Sequence, residues 1–222
     1  MEKVRRNRAM TTQRIVAAFE EVIAERGIKG AGINRIAEKA GVSKVLIYRY
    51  FGGMEGLITY YIKMGKFFPT FDNRMLSQIQ PTHSSDMGRV WSRQVVQTFR
   101  GFRASKAGRE ILKATVIDDD ELANIASKAQ DEELSRLVTE LSFTEGCDNQ
   151  AVAAIILGAM THLTLLAQSN RTMIGLDLRD DENWKRIEQA VKTIYAGLNQ
   201  LAIESETVRF DLRPSTAPVG QW

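Results

Sequence analysis

Apolar residues recur along this chain at intervals of three and four, the spacing that lines one face of an α-helix. Ile15, Phe19, Val22 and Ile23 keep that spacing behind a candidate N-cap at Thr11 or Thr12, and Gly27 stops the run. Short helices are expected over Asn34–Ala40 and Lys44–Phe51, parted by Gly41-Val42-Ser43. Gly52-Gly53 breaks the pattern, and a fourth helix starts near Met54. Pro69 to Asp86, with Pro81, Ser84 and Ser85, reads as a loop with room for one short helix. Beyond it the spacing predicts helices over Met87–Ala104, Lys106–Val116, Glu121–Leu141, Asn149–Gln168 and Glu182–Ile203. Glu206–Trp222, with Pro214, Pro218 and Gly220, shows no helical period and reads as a tail. The expected fold class is all-α.

Composition narrows this little. The 222 residues suit one large domain or two modest ones, and 44% hydrophobic with 26% charged residues is ordinary for a globular chain. The single cysteine, Cys147, excludes a disulfide framework and a multi-cysteine zinc cluster and fits a reducing cytosol. It has no activating cation beside it and reads as inert. Met1–Met10 is basic without an apolar stretch behind it, so no secretory signal is expected. Asn149–Asn170 carries no charge and is long enough to span a bilayer. Its unbroken apolar run is only Ala151–Met160, however, and a soluble helix buried on nearly all sides is the preferred reading.

Charge is unevenly placed. Residues 1–55 carry eleven basic and six acidic side chains, while the remaining 167 carry 19 and 21. A basic head on a mildly acidic body suits a polyanionic partner for the head alone.

Ala37, Gly41 and Ile47 have the spacing of a helix-turn-helix. Ala37 is small where the second helix crosses close. Gly41 supplies positive φ at the turn, and Ser43 is a natural N-cap for the second helix. Ile36, Ala40, Val42, Ile47 and Tyr50 or Phe51 are the expected apolar anchors. Thr12–Leu57, through RIVAAFEEVIAERG, INRIAEKAGVSK and IYRYF followed by Glu55 and Leu57, resembles the TetR family of bacterial transcriptional regulators. The resemblance implies a three-helix DNA-binding domain over residues 10–55, with its motif at about 33–52. It further implies an effector-binding and dimerisation helical bundle over 56–205. There are departures: Gly32 stands where the family usually has a capping Ser or Thr, Val45-Leu46 where it often has Gly-Thr, and Met54 where it has a phosphate-binding Lys.

The expected double-stranded DNA contacts are Asn34, Ser43, Lys44, Val45, Tyr48, Arg49 and Tyr50. Lys44 and Arg49 can donate to guanine O6 and N7, and Val45 can pack on a thymine methyl. Tyr48 and Tyr50 would donate hydroxyls to phosphates, though Tyr50 fits a core position equally well. Arg5, Arg6 and Arg8 are candidates for an arm along the duplex. In the body, Trp91, Phe99, Phe102, Met160 and His162 are candidate walls of a pocket for an apolar or amphipathic effector. Each also fits a packed core. The acidic run Asp118-Asp119-Asp120-Glu121 reads as a helix start.

Trp184, Ile187, Val191, Ile194, Leu198 and Leu201 form a heptad seam. With Ile155, Gly158 and Ala159 on the uncharged helix, the seam residues Ile187, Ile194 and Leu198 are the expected homodimer interface. No HExxH, Gly-rich phosphate loop or serine-histidine-aspartate set is present, and there are only two histidines. No enzyme, metal or cofactor is therefore expected. The expected function is a cytoplasmic, ligand-responsive regulator, with a repressor on a palindromic operator as the leading form. The alternatives are an all-α enzyme or a helical interaction module that does not bind DNA.

Overall fold

The computed structural model describes residues 2–64, 87–140 and 148–211, almost all of them helical. Helices α1 (Glu2–Arg26), α2 (Ile33–Ala40), α3 (Lys44–Phe51) and α4 (Met54–Lys63) form the N-terminal part. Helices α5 (Met87–Ala104), α6 (Lys106–Ile117), α7 (Glu121–Glu140), α8 (Asn149–Gln168) and α9 (Asp181–Asp211) form the body. Between α8 and α9 lies a two-stranded antiparallel ribbon, β1 (Thr172–Met173) and β2 (Leu176–Asp177), which the apolar pattern did not predict.

Two boundaries differ from expectation. Helix α1 runs on through Thr11 and Thr12, so neither caps it, and residues 2–10 are its first turns rather than an extended arm. Helix α9 continues to Asp211, through the start of the expected tail. The expected loop from Pro69 to Asp86, Cys147, and residues beyond Asp211 lie outside the described residues.

The N-terminal core is built on α1. Ile15, Phe19, Val22 and Ile23 are fully buried and meet Ile36 and Ala37 of α2, Ile47 of α3, and Leu57, Ile58 and Tyr61 of α4. The Phe19 and Tyr61 rings meet edge to face at 5.0 Å. Gly27 and Gly41, at φ 68° and 60°, end α1 and α2 in the left-handed conformation that glycine adopts without strain. Side-chain caps start the body helices: Ser105 Oγ accepts from Gly108 N at 3.0 Å, and Asp148 Oδ1 from Ala151 N at 2.9 Å. Asp120 Oδ1 accepts from Leu122 N and Ala123 N, both at 3.1 Å, so the acidic run does open α7.

The N-terminal helices rest on the body through α1 against α6 and α4 against α7. Lys29 reaches Asp118 at 3.8 Å and Asp120 at 3.6 Å across this junction. Helices α5 and α9 pack antiparallel: Gly88 meets Tyr195 and Asn199, Arg100 meets Glu188, and Arg103 meets Asp181.

Helix α8 corrects a sequence reading. Ala153, Ile156, Met160 and Thr164 are buried, and Val152, Leu157, Leu163, Leu165, Leu166 and Ala167 pack partly against the core. Ala154, Ile155, Gly158, Ala159 and His162 are open to solvent, with Ile155 71% exposed.

Candidate nucleic-acid interface

Helix α3 is anchored from below and open above. Its Ile47 is fully buried, and Phe51 packs edge to face on Tyr60 at 5.1 Å. Its start is fixed by Ser43, whose Oγ accepts from Val45 N at 3.3 Å. Its end is fixed by Gly52 at φ 79°, followed by Gly53 at φ 128° and ψ −155°, a region open to glycine alone. A Cβ at Gly53 would stand 3.5 Å from Tyr48 Cε1, an ordinary contact, so the backbone conformation and not the space calls for glycine there.

Helix α2 is held at its C-terminus by a cation from α1. Arg14 Nη2 donates to Ala40 O at 2.6 Å and to Gly41 O at 3.1 Å, satisfying carbonyls the helix leaves open and opposing its dipole. At the other end Gly32 makes no side-chain cap, as the departure at that position implied.

These contacts divide the basic head in two. Arg14 holds α2, and Arg35 donates to Gly30 O. Lys39 pairs with Glu25 and, at 3.2 Å, with Glu21. The Lys39 hydrogen bond holds the Glu25 carboxyl below its usual pKa, and the same bond raises Lys39. Lys44, Val45, Tyr48 and Arg49 instead share the solvent face of α3, with Val45 63% and Tyr48 54% exposed. An exposed valine and tyrosine between two cations gain nothing from the protein's own core. They offer a methyl surface and a hydroxyl beside charge-assisted donors, the chemistry that reads a major groove.

Asn34 is exposed on α2 and Ser43 is taken up as the cap. Tyr50 is half-buried, with the guanidiniums of Arg8 and Arg49 at 5.2 and 5.3 Å from its ring. It therefore positions two cations as well as packing on the core.

The expected effector residues are placed differently. Trp91, Phe99, Phe102 and Met160 are all buried core residues, and His162 is exposed on α8. Among the described residues, three cavities in the body are lined by none of these five side chains. One of about 780 Å³ lies between α5 and α9, one of about 680 Å³ beside Trp184, and one of about 430 Å³ between Lys106 and Gln168. The aromatic stripe of α5 fills the core; the space lies on the helix's other face.

The expected dimer residues also separate. Ile155, Gly158 and Ala159 stand exposed on α8, and Ile194 is 50% exposed on α9. Leu198 is half-buried, but Ile187 is buried within its own chain. The buried stripe of α9 runs Trp184, Ile187, Glu188, Val191, Tyr195, Asn199, following the helix's own 3.6-residue turn. The 3.5-residue seam drifts off that stripe, which leaves Ile187 inside and Ile194 outside. Helix α8 is the one described helix long and apolar enough to cross a membrane, with mean hydropathy 1.7. Core helices pass the same test.

A short helix with buried anchor and open polar-apolar face, set by a glycine turn against a second helix, defines a helix-turn-helix DNA-binding protein. Residues 11–61 match the family described as bacterial regulatory proteins, tetR family. The match covers the DNA-binding domain alone, so the N-terminal part of the chain carries a TetR-type helix-turn-helix domain. No curated protein matches the chain. Among solved structures it resembles the fatty acid degradation regulator FadR of Bacillus halodurans, with TM-score 0.58 and 19% identity over 83% of this chain and 97% of that one. FadR of Bacillus subtilis in complex with stearoyl-CoA gives TM-score 0.53 and 18% identity over 83% and 97%. A transcriptional regulator from Rhodococcus sp. Rha1 gives 0.51 and 20% over 84% and 94%. At these identities the likeness is one of fold.

Proposed function

We propose that the chain is a cytoplasmic repressor that binds a palindromic operator as a homodimer and leaves it when a small amphipathic effector binds the body. Residues 10–55 carry the DNA-binding function and 56–205 the effector and dimer functions. The observation that carries this reading is the outward face of α3, where Lys44, Val45, Tyr48 and Arg49 stand open above a fully buried Ile47. Lys44 and Arg49 read bases; Ser43, Asn34, Tyr48 and Tyr50 fix register on the backbone.

Two recognition helices can read one face of B-DNA only about 34–36 Å apart, or at a multiple of that, so a twofold axis has to set their separation. The exposed apolar face of α8 at Ile155, with Gly158, Ala159 and the nearby small residues, supports the dimer there, joined by Ile194 of α9. A second protein surface, rather than lipid, covers that face. The stearoyl-CoA complex of the Bacillus subtilis neighbour is one ligand of a chain with this fold and supports an amphipathic effector here. Release follows if the effector binds better to a conformation whose α3 helices no longer match successive grooves.

The test is selection of duplexes by the purified protein, followed by titration of the selected site. Lys44→Ala and Arg49→Ala are each expected to weaken the selected site by about 1–3 kcal/mol and to relax base preference. Tyr48→Phe is expected to weaken all sequences alike. A double variant that keeps both affinity and preference overturns the assignment.

A further inference from the structure

We propose that the cleft between α5 and α9 binds a phosphorylated organic anion of nucleotide size. This names the chemical class of the effector and rests on the ligand-responsive reading above.

The cleft is framed by two stripes far apart in sequence. Arg89, Arg93, Gln97 and Arg100 fall on one face of α5 at intervals of four and three, and Lys192 faces them from α9. The thirteen residues lining it include four cations and no carboxylate. Glu188, beside Arg100, is buried and committed: Arg100 Nε donates to its Oε1 at 2.7 Å, and Arg100 Nη2 to its Oε2. That bidentate pair raises the Arg100 pKa and fixes its guanidinium at one end of the cleft. Arg93 and Lys192 are exposed and take part in no ion pair among the described residues.

The other side of the cleft is polar without charge. Ser92 and Asn199 are buried there, 4% and 8% exposed, and the Ser92 hydroxyl donates to Arg89 O at 3.0 Å. At the far end Gly88 permits the helices' closest approach, since a Cβ there would lie 2.7 Å from Tyr195 O. From Gly88 to Arg100 the cleft is about 18 Å long at a helix's rise per residue. A volume of about 780 Å³ is within the range of sites that hold cofactor-sized ligands.

Cations held at separate points along such a length match several anionic groups on one molecule, as in a polyphosphate chain, rather than a lone phosphate. The cleft is also separate from the face proposed for the dimer. On α9, Gln189, Lys192 and Ala196 project roughly opposite to Ala190, Ile194 and Gly197, as a 100° turn per residue requires. A ligand can therefore sit in each copy without competing with the interface.

The experiment is calorimetric titration of the full-length protein with coenzyme A and with inorganic triphosphate. Pantetheine, the organic arm of coenzyme A without phosphates, is the uncharged control. Coenzyme A and triphosphate are expected to bind and pantetheine to fail. Arg93→Glu with Lys192→Glu, both on exposed side chains, is expected to weaken binding by about tenfold or more per cation. Helix content by circular dichroism and binding to the selected operator should stay unchanged in this variant. Absence of binding by either anion, or binding that the double charge reversal does not alter, overturns the proposal. So does a variant whose operator affinity falls, because the cations then serve the duplex. If coenzyme A binds the cleft but leaves operator affinity unchanged, the anion site stands and the effector reading fails; operator binding with no anion site gives the reverse.

Discussion

Gly56→Ala tests the geometry that aims the recognition helix. Gly56 lies in the first turn of α4, and a Cβ built there would stand 1.7 Å from the carbonyl oxygen of Phe51, the last residue of α3. The obstacle is backbone, so no side chain can swing aside. The two atoms must part by about 1.5 Å to reach even a tight non-bonded contact. Helix α4 cannot supply that freely, because Leu57, Ile58, Tyr61 and Ile62 are all buried on it. Overpacking of this kind costs about 1–3 kcal/mol where side chains yield, and more where backbone must move. Alanine's better helix propensity returns about 1 kcal/mol.

The expected net loss is about 3 kcal/mol, or about 6–12 °C in thermal midpoint for a chain of this size. Operator affinity is expected to fall with it, since α3 is displaced relative to α2. Gly101→Ala is the control: it lies within α5 with nothing inside 4 Å of its would-be Cβ, and should gain about 0.5–1 kcal/mol. Urea unfolding followed by circular dichroism measures both. Gly56→Ala within 1 kcal/mol of the parent would refute the reasoning.

Other consequences are measurable on the same material. Ile155→Asp with Ile194→Asp, both at exposed positions, should convert dimers to monomers in sedimentation and cost operator affinity while leaving helix content intact. Ile174, a β-branched residue at φ 50° and 91% exposed at the tip of the β1–β2 ribbon, bears left-handed strain with no packing in return. Ile174→Gly should raise stability by about 1 kcal/mol, and a fall in the thermal midpoint would show that the side chain is in contact with something. Burial pushes the Tyr195 hydroxyl up to about 12. An unfolded tyrosine ionises near 10, so the unfolded chain loses its proton first and stability drops as pH rises from about 10 toward 12. Tyr195→Phe should flatten that alkaline slope, and an unchanged slope would assign it to other groups.

The parts of this molecule legible in its sequence are those governed by neighbours three or four residues away. The α2–Gly41–α3 unit was readable because its cap, its left-handed glycine and its anchors lie within about twenty residues. The bounds of α5 and α8 followed from apolar spacing and flanking polar residues. Contacts between distant segments were not readable. Arg14 looks like one more cation of a basic head until it is found donating to the end of α2, 26 residues on. Gly56 looks like a weak point in a helix until the Phe51 carbonyl is found against it. The ribbon was hidden for a different reason: its turn puts Ile174, which disfavours positive φ, where Asn or Gly would have announced it.

The misreading of α9 shows how such an ambiguity is resolved. Trp184, Ile187, Val191, Ile194 and Leu198 satisfy a 3.5-residue repeat as written, and that repeat predicts one continuous seam. A single straight helix keeps its own 3.6-residue turn, so the seam rotates by about 20° per heptad relative to whatever the helix packs against. The single heptad from Ile187 to Ile194 turns about 20°, and at the edge of the buried stripe Ile194 falls outside the intrachain core while Tyr195 and Asn199 lie within it. Apolar residues that one chain cannot bury are thus left on the side of α9 away from the cationic cleft. The same helix thereby gives its inner face to α5, one flank to the cleft and the other to the proposed partner. A change in how α5 and α9 sit around a bound anion would then reach the dimer axis through one rigid element, with no need for a separate relay.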